Sequence, residues 1–244
     1  MDFQIYLYGG AAGLSLILGA AVGLIFKFKQ TTIARFMAFG AGVLICALTF
    51  GLMEEAFGHG GFDAVIAGFL AGGMTYIVMD YFLHKIGARR HKHTQLLAAP
   101  QQDGRLITIG TVLDGIPESI ALGISLFNGQ GRGLLMLAAI VLSNFPESIS
   151  SLTGLKREGY KKGKIYFIWG VVALVTLVVS VLSFTFLHDI DPNWIGFFEA
   201  FAAGAILAML ANSMMPEAYE NGGFTIGILT ILGFLVAFVL SRFK

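Results

Sequence analysis

Two short segments place a proline, a glutamate and a serine inside stretches that are otherwise almost entirely apolar. They read LDGIPESIALG (113–123) and LSNFPESISSL (142–152). Proline cannot donate a hydrogen bond to the carbonyl four residues earlier, so each segment offers a loosened, electronegative backbone next to a carboxylate. Carboxylate, amide, hydroxyl and carbonyl oxygens are the ligands that hard divalent cations prefer. The two segments therefore predict a site for a divalent cation.

Helical spacing predicts which of these side chains act together. Residues four apart share one face of a helix, so Asp114 and Glu118 project together from one helix, and Ser143 and Glu147 from the next. Asn144 lies close to the second pair. A charged side chain inside a bilayer costs at least about 3 kcal/mol, and neither segment contains a Lys or Arg to balance its acids. We expect a bound cation to compensate; the alternative is protonated, hydrogen-bonded residues at proline kinks.

The composition predicts an all-α membrane protein. Of 244 residues, 56% are hydrophobic and 13% are charged, and the mean hydropathy is +0.78; a soluble domain has about 25% charged residues. Most of the apolar blocks approach the ~20 residues that a helix needs to cross a bilayer. They lie at about 4–26, 33–57, 62–83, 105–127, 133–154, 165–187, 193–216 and 224–241. These are eight predicted transmembrane helices, the first read as a retained span rather than a cleaved signal.

One transmembrane domain is expected over 1–244. It contains helices 1–3 (about 4–84), a cytoplasmic loop (about 85–104), helices 4–5 (about 105–154) and helices 6–8 (about 165–243). Of the 16 basic residues, all but Arg132, Arg242 and Lys244 fall on one side of the predicted spans. Basic loops favour the cytoplasmic side, which places both termini outside. The basic residues are divided among short loops, so they predict orientation rather than nucleic-acid binding.

An internal repeat relates the second and seventh spans. Residues 36–62 align without gaps on residues 198–224, and twelve of these 27 positions are identical, including Glu55 with Glu217. Even and odd spans run in opposite directions, so the repeat is inverted and gives a 3+2+3 arrangement. Inverted repeats recur in transporters, where substrate sites lie at the repeat interface near the midplane. Glu55 and Glu217, which the repeat keeps, are expected at an outer and an inner vestibule of that site.

These residues resemble the ZIP (Zrt/Irt-like) family of metal-ion transporters. The family's span-4 signature, His-Asn-x-Pro-Glu-Gly, corresponds to Asp-Gly-Ile-Pro-Glu-Ser (114–119). A span-5 form in prokaryotic members, x-Asp-x-Pro-Glu-Gly, corresponds to Ser-Asn-Phe-Pro-Glu-Ser (143–148). The resemblance implies eight spans in a 3+2+3 arrangement and a binuclear metal site built from spans 4 and 5. The first histidine is Asp114 here and the asparagine is Gly115, which favours a simpler site and harder ions.

The resemblance implies a transporter rather than an enzyme. Its substrate would be a divalent ion of the zinc, manganese and iron class, with cadmium a further candidate, moving toward the cytoplasm without an organic cofactor. The expected ligands are Asp114, Glu118, Ser143, Asn144 and Glu147. We expect a multi-pass protein of a bacterial or archaeal plasma membrane, whose partners are the lipid bilayer, the metal ion and a second copy in a homodimer. Two alternatives stay open: a non-transporting metal sensor or scaffold, and an intramembrane metallo-hydrolase.

Overall fold

The computed structural model describes residues 3–85, 104–126, 130–187 and 189–242, and every regular element within these ranges is helical. Within these ranges, nine α-helices follow one another, with two π-helical segments and one 3₁₀ turn. The α-helices are α1 (Phe3–Ile25), α2 (Gln30–Ala47), α3 (Glu54–Lys85), α4 (Gly104–Ser125), α5 (Gln130–Arg157), α6 (Lys162–Leu187), α7 (Pro192–Met209), α8 (Met215–Gly222) and α9 (Ile226–Arg242). The all-α prediction is confirmed. Most of the predicted loop over 85–104 lies outside the described residues.

Five continuous helical runs within the described ranges are long and apolar enough to cross a membrane. They are Phe3–Ile25, Gln30–Leu83, Gly131–Lys156, Lys162–Leu187 and Pro192–Arg242. The second and fifth contain 54 and 51 residues, whereas a bilayer core of about 30 Å needs ~20. Helix α4, which carries two acids, is not one of the five. The chain is a multi-pass membrane protein, and the count of eight spans stays a prediction.

Both long runs break at a glycine in the left-handed region. Gly61 has φ 63° and Gly223 has φ 62°, a backbone conformation that a Cβ atom disfavours. The breaks lie close to the predicted boundaries between spans 2 and 3 and between spans 7 and 8. The first run therefore has an apolar segment on each side of Gly61, and the second has one on each side of Gly223.

Two π-helical segments precede these breaks. The first covers Leu48–Met53 and follows α2; the second covers Leu210–Met214 and follows α7. A π-helical turn widens the helix and is frequent at functional sites. Helices α4 and α5, by contrast, continue through Pro117 and Pro146. In the described part of the chain, both π segments thus lie outside the two proline-containing helices.

Glycines allow the helices to approach closely. A Cβ atom on Gly42 of α2 would overlap the backbone of Thr230 on α9, and one on Gly204 of α7 would overlap the backbone of Phe69 on α3. Small residues at such crossings are typical of membrane helices, whose association depends on close van der Waals packing. Helices α1 and α6 also pack together, and Gly13 of α1 meets the backbone of α6.

Helices α4 and α5 lie between these pairs. Helix α4 packs against α6 and α7, while α5 packs against α1 and α2, and the two helices contact each other. Their neighbours surround most of their length, which accounts for the burial of their polar residues. The fold therefore positions both Pro-Glu-Ser segments in its interior.

Candidate metal site between helices α4 and α5

The two central helices meet at Glu118 and Ser143. The Ser143 hydroxyl lies 3.1 Å from Glu118 Oε1 and 3.0 Å from the Ile140 carbonyl of its own helix. Both side chains are buried, with 2% exposure for Glu118 and none for Ser143. The Glu147 carboxylate lies one turn further along α5, within electrostatic range of Glu118. Glu118 and the Ser143 hydroxyl thus meet in the interior, and the partly exposed Glu147 lies one turn away on α5.

The serines of the two motifs stabilise the local backbone. Ser119 donates to the carbonyl of Gly115 at 2.6 Å, and Ser148 donates to that of Phe145 at 2.9 Å. Such back-bonding satisfies the hydroxyl within its own helix. The same turn of each helix that holds a proline therefore also holds a serine bound to the main chain.

Asp114 is held by a neighbouring helix. The Tyr76 hydroxyl of α3 donates to Asp114 Oδ1 at 2.6 Å, and both side chains are buried. Asp114 lies one turn before Glu118 on α4, as the spacing predicts. The structure adds a phenol as its partner.

Asn144 is directed toward α1. Its amide nitrogen lies 3.4 Å from the carbonyl of Ala12, and the side chain is buried. Asn144 follows Ser143 by one residue, which turns it about 100° away around the helix axis. This contact ties α5 to α1, and a role of Asn144 as a ligand stays a prediction.

The two repeat-related glutamates lie at opposite ends of α5. Arg132, in the first turn of that helix, forms an ion pair with Glu55. Ser150, near its other end, donates a hydrogen bond to Glu217 of α8. Both glutamates are partly exposed, unlike Glu118. Their role as vestibule residues stays a prediction.

One stripe of α5 connects these contacts. Arg132 and Ser143 are eleven residues apart, about three turns, and Glu147 and Ser150 continue the same face. The stripe covers about 27 Å from Arg132 to Ser150 at 1.5 Å per residue. Its half nearer Arg132 passes two buried apolar side chains, Met136 and Ile140. Acids therefore occur at both ends of the stripe and in its middle, with an apolar section on one side.

The ligand set suits a hard cation. Among the described residues, no three His, Cys, Asp or Glu side chains lie close enough together to hold a metal ion. Glu118 and Glu147 thus supply two carboxylates, with the Ser143 hydroxyl beside them. An ion bound here would complete its coordination with water or with carbonyl oxygens. All of these are oxygen ligands.

Sequence reasoning overlooked three partners. In the sequence, Arg132 contributes only to the prediction of orientation, and nothing there pairs it with Glu55. Nothing in the sequence distinguishes Tyr76 from the other aromatic residues of the predicted membrane helices. Glu199 is fully buried on α7 and lies 2.9 Å from Nδ1 of His59. The acid within the apolar stretch FFEAFAAG (197–204) was the available signal for this last contact.

Two curated proteins resemble the chain. An Arabidopsis thaliana protein named "Putative zinc transporter" is 26% identical over 187 residues, covering 74% of this chain and 29% of its own length. A Caenorhabditis elegans protein, zinc transporter zipt-7.2, is 28% identical over 114 residues, covering 44% of this chain and 24% of its own. The chain thus spans less than a third of the length of these relatives, and no protein-family model matches it. Both relatives are named zinc transporters, which agrees with the resemblance of the two proline-containing motifs to the ZIP family.

Proposed function

We propose that this protein transports a divalent transition-metal ion across the membrane toward the cytoplasm, through the carboxylate site between α4 and α5. The observation that carries the proposal is the stripe on α5. It connects Glu55, the Glu118–Glu147 pair and Glu217, in that order, through Arg132, Ser143 and Ser150. A cation crossing about 27 Å of protein would meet acids near the entrance, the middle and the exit. The names of both relatives support transport as the activity.

The state of the pathway follows from its burial. Between Arg132 and Ser143 the stripe is lined by Met136 and Ile140, both buried, so apolar side chains separate the Glu55 end from the central acids on this helix. Glu147 and Glu217 are partly exposed, so the stripe is more open toward the Glu217 end. Transport would require a second conformation in which the apolar section opens. This is the alternation of access that transporters with inverted repeats use.

Paired backbone features support an inverted repeat. Leu210, which begins the second π segment, lies 162 positions after Leu48, which begins the first; Gly223 lies 162 positions after Gly61. That is the offset of the sequence repeat. A conformation that is rare in ordinary helices thus recurs at matched positions.

Helix packing follows the same correspondence. Under the repeat α2 corresponds to α7, and the part of α3 after Gly61 corresponds to α9. The pair α2–α9 therefore corresponds to α7–α3, and both are glycine crossings in the structure. The pair α1–α5 likewise corresponds to α6–α4, and both pairs pack together. These correspondences support the 3+2+3 arrangement, with α4 and α5 as the central pair.

The substrate belongs to the zinc, manganese and iron class. Zinc has the support of both relatives' names. The ligands in this chain are oxygens, and Asp114 stands where the family motif has histidine, which favours harder ions such as Mn²⁺ or Fe²⁺. Protonation of the buried acids would release the ion and offers one route to drive transport.

Uptake of radioactive zinc and manganese into proteoliposomes tests the proposal. Glu118→Ala and Glu147→Ala should abolish uptake, because each removes one of the two central carboxylates. Glu54→Gln, which changes an exposed acid outside the site, should keep it. Wild-type uptake by both central variants would contradict the assignment. Metal-dependent thermal stabilisation without uptake would instead identify the sensor or scaffold alternative.

We place the protein in the plasma membrane. In the proposed orientation, the loop containing Lys27 faces the cytoplasm and Asp63 lies on the outer side. Cys46 is buried, so a single new cysteine reports its own side with little background. A membrane-impermeant maleimide should label Asp63→Cys in intact cells and Lys27→Cys only after permeabilisation. The reverse pattern would invert the topology and the inferred direction. Assembly as a homodimer stays a prediction, and cross-linking in native membranes measures it.

A further inference from the structure

Lysines gather where α1, α5 and α6 meet at one end of the protein. The Lys156 ammonium, in the last turn of α5, donates to the carbonyl of Gly23 in the last turn of α1 at 3.0 Å. After Gly159, which has φ 77°, the chain turns back and α6 begins at Lys162. The lysines at these three helix ends are all exposed: Lys27, Lys29, Lys156, Lys161, Lys162 and Lys164.

The charge at this end is strongly one-sided. Residues 3–29 and 150–187 contain seven Lys or Arg residues and a single acid, Glu158. Glu217 of α8 contacts Ser150, which lies about 120° around α5 from Lys156. The dipole of a helix opposes cations in its first turn, yet α6 begins with two lysines in that turn. An anion between these ammonium groups would offset both their mutual repulsion and the dipole.

Lys164 stands at the head of an exposed stripe on α6. Its ammonium lies 4.3 Å from the centre of the Tyr160 ring, and Tyr160 packs against buried side chains of α1, α5 and α6. Phe167, Val171 and Leu174 follow on the same face of the helix, and their exposures are 71%, 42% and 59%. The ten residues from Lys164 to Leu174 cover about 15 Å, which is half of the ~30 Å hydrocarbon core of a bilayer.

We propose that the lysines at the ends of α1, α5 and α6 bind the headgroup of an anionic phospholipid whose acyl chains lie along the exposed stripe of α6. Phosphate oxygens accept charge-assisted hydrogen bonds from ammonium groups, and basic clusters at the ends of membrane helices attract anionic lipids. The apolar stripe favours a lipid over a free phosphate ion, because a lipid contacts both the lysines and the stripe. In the proposed orientation this lipid belongs to the cytoplasmic leaflet.

The test identifies which lipid lies next to the stripe. Phe167→Trp in a Trp194→Phe background introduces an indole at a lipid-facing position, while the native Trp169 is buried. Brominated lipids quench an indole that they contact, so quenching in mixed bilayers gives the relative binding constants of phosphatidylglycerol and phosphatidylcholine. One lysine near the membrane surface contributes about 5-fold to the binding of an anionic lipid. Phosphatidylglycerol should therefore bind at least about 5-fold more tightly than phosphatidylcholine next to this indole.

Charge-neutral variants assign the preference to the lysines. Lys164→Gln should lower the preference by about 5-fold, and the triple substitution of Lys161, Lys162 and Lys164 by Gln should remove it. Lys85→Gln is the matched control, because Lys85 is exposed at the end of α3, and it should leave the preference unchanged.

A second reporter tests the location of the site. Phe186 is 70% exposed at the other end of α6, and the residues that follow it include Asp189 and Asp191 but no Lys or Arg before 242. Phe186→Trp in the same background should show no preference for phosphatidylglycerol. An equal preference at both ends of α6 would overturn the proposal, because the effect would then not come from the lysines.

The remaining outcomes are equally decisive. Equal binding of the two lipids next to Phe167→Trp would overturn the proposal, as would an undiminished preference in the triple variant. Inorganic phosphate should displace phosphatidylglycerol no better than sodium chloride of equal ionic strength; stronger displacement by phosphate would identify a site for the free ion instead of a lipid. The proposal goes beyond the proposed function and involves no transport step, so its failure leaves the result of the uptake assay with Glu118→Ala untouched.

Discussion

Removal of the Ser143 hydroxyl is the most direct perturbation of the contact between α4 and α5. The hydroxyl has one proton and two acceptors, Glu118 Oε1 at 3.1 Å and the Ile140 carbonyl at 3.0 Å. Ser143 and Glu118 are both buried, so water does not substitute for the lost donor. Ser143→Ala therefore removes a hydrogen-bond donor from the Glu118 carboxylate and changes the volume of the side chain very little.

The expected loss follows from the charge of the acceptor. A hydrogen bond contributes about 0.5–1.5 kcal/mol with a neutral partner and about 1.5–3 kcal/mol with a charged one. Cation binding requires Glu118 to be ionised, so the bond to Ser143 strengthens by about 1–1.5 kcal/mol when the ion binds. A difference of 1.4 kcal/mol is a factor of ten in affinity. Ser143→Ala should therefore weaken Mn²⁺ or Zn²⁺ binding by about 5- to 12-fold.

Calorimetric titration of the reconstituted protein at constant pH measures this change. Ser148→Ala is the matched control, because Ser148 is equally buried on the same helix but donates to the Phe145 carbonyl. Its removal should leave the metal affinity unchanged. Wild-type affinity for Ser143→Ala would refute the role assigned to the hydroxyl. An equal loss for Ser148→Ala would show that the effect comes from helix packing rather than from Glu118.

Three further tests of the framework measure thermal or denaturant unfolding in lipid. Gly204→Ala should destabilise by about 1–3 kcal/mol, because its Cβ would overlap the backbone of α3, whereas Gly227→Ala, where the space is open, should be neutral or slightly stabilising. Gly61→Ala should cost about 1–3 kcal/mol through its left-handed backbone alone, since nothing lies near its Cβ position; a neutral result would contradict the observed φ. His59→Ala should destabilise more than Glu199→Ala, because it leaves a fully buried carboxylate short of one donor; the reverse order would contradict that burial.

Much of the architecture was predictable because lipid makes helix formation obligatory. A backbone without water must satisfy its hydrogen bonds internally, so apolar blocks of sufficient length become helices. The predicted boundaries between spans 2 and 3 and between spans 7 and 8 lie close to the breaks at Gly61 and Gly223. The π segments were not predictable, since the apolar sequence around Leu48 and Leu210 fits either helical form. Pro117 and Pro146 do not end their helices, because α4 and α5 continue through them.

The candidate site was predictable where its contacts are local. Asp114 and Glu118 lie in α4, and Ser143 and Glu147 lie in α5, so the four-residue spacing puts each pair on one face of its helix by helix geometry alone. The partners Tyr76 and Arg132 depend instead on where helices cross. A crossing is set by many small packing contacts, such as those at Gly42 and Gly204, and one sequence does not specify which polar residues these contacts bring together.

The two glutamates that the proposed repeat relates have acquired different partners, and this difference bears on transport. Glu55 is paired with the guanidinium of Arg132, whereas Glu217 accepts from the hydroxyl of Ser150. Under the proposed function, a cation near Glu55 would compete with the guanidinium of Arg132, whereas a cation near Glu217 would compete with the uncharged hydroxyl of Ser150. Two opposite charges in contact attract each other more strongly than a carboxylate attracts a hydroxyl dipole, so Glu55 would exchange its partner for a cation less readily than Glu217. The proposed pathway would therefore have two chemically different ends built on one backbone plan.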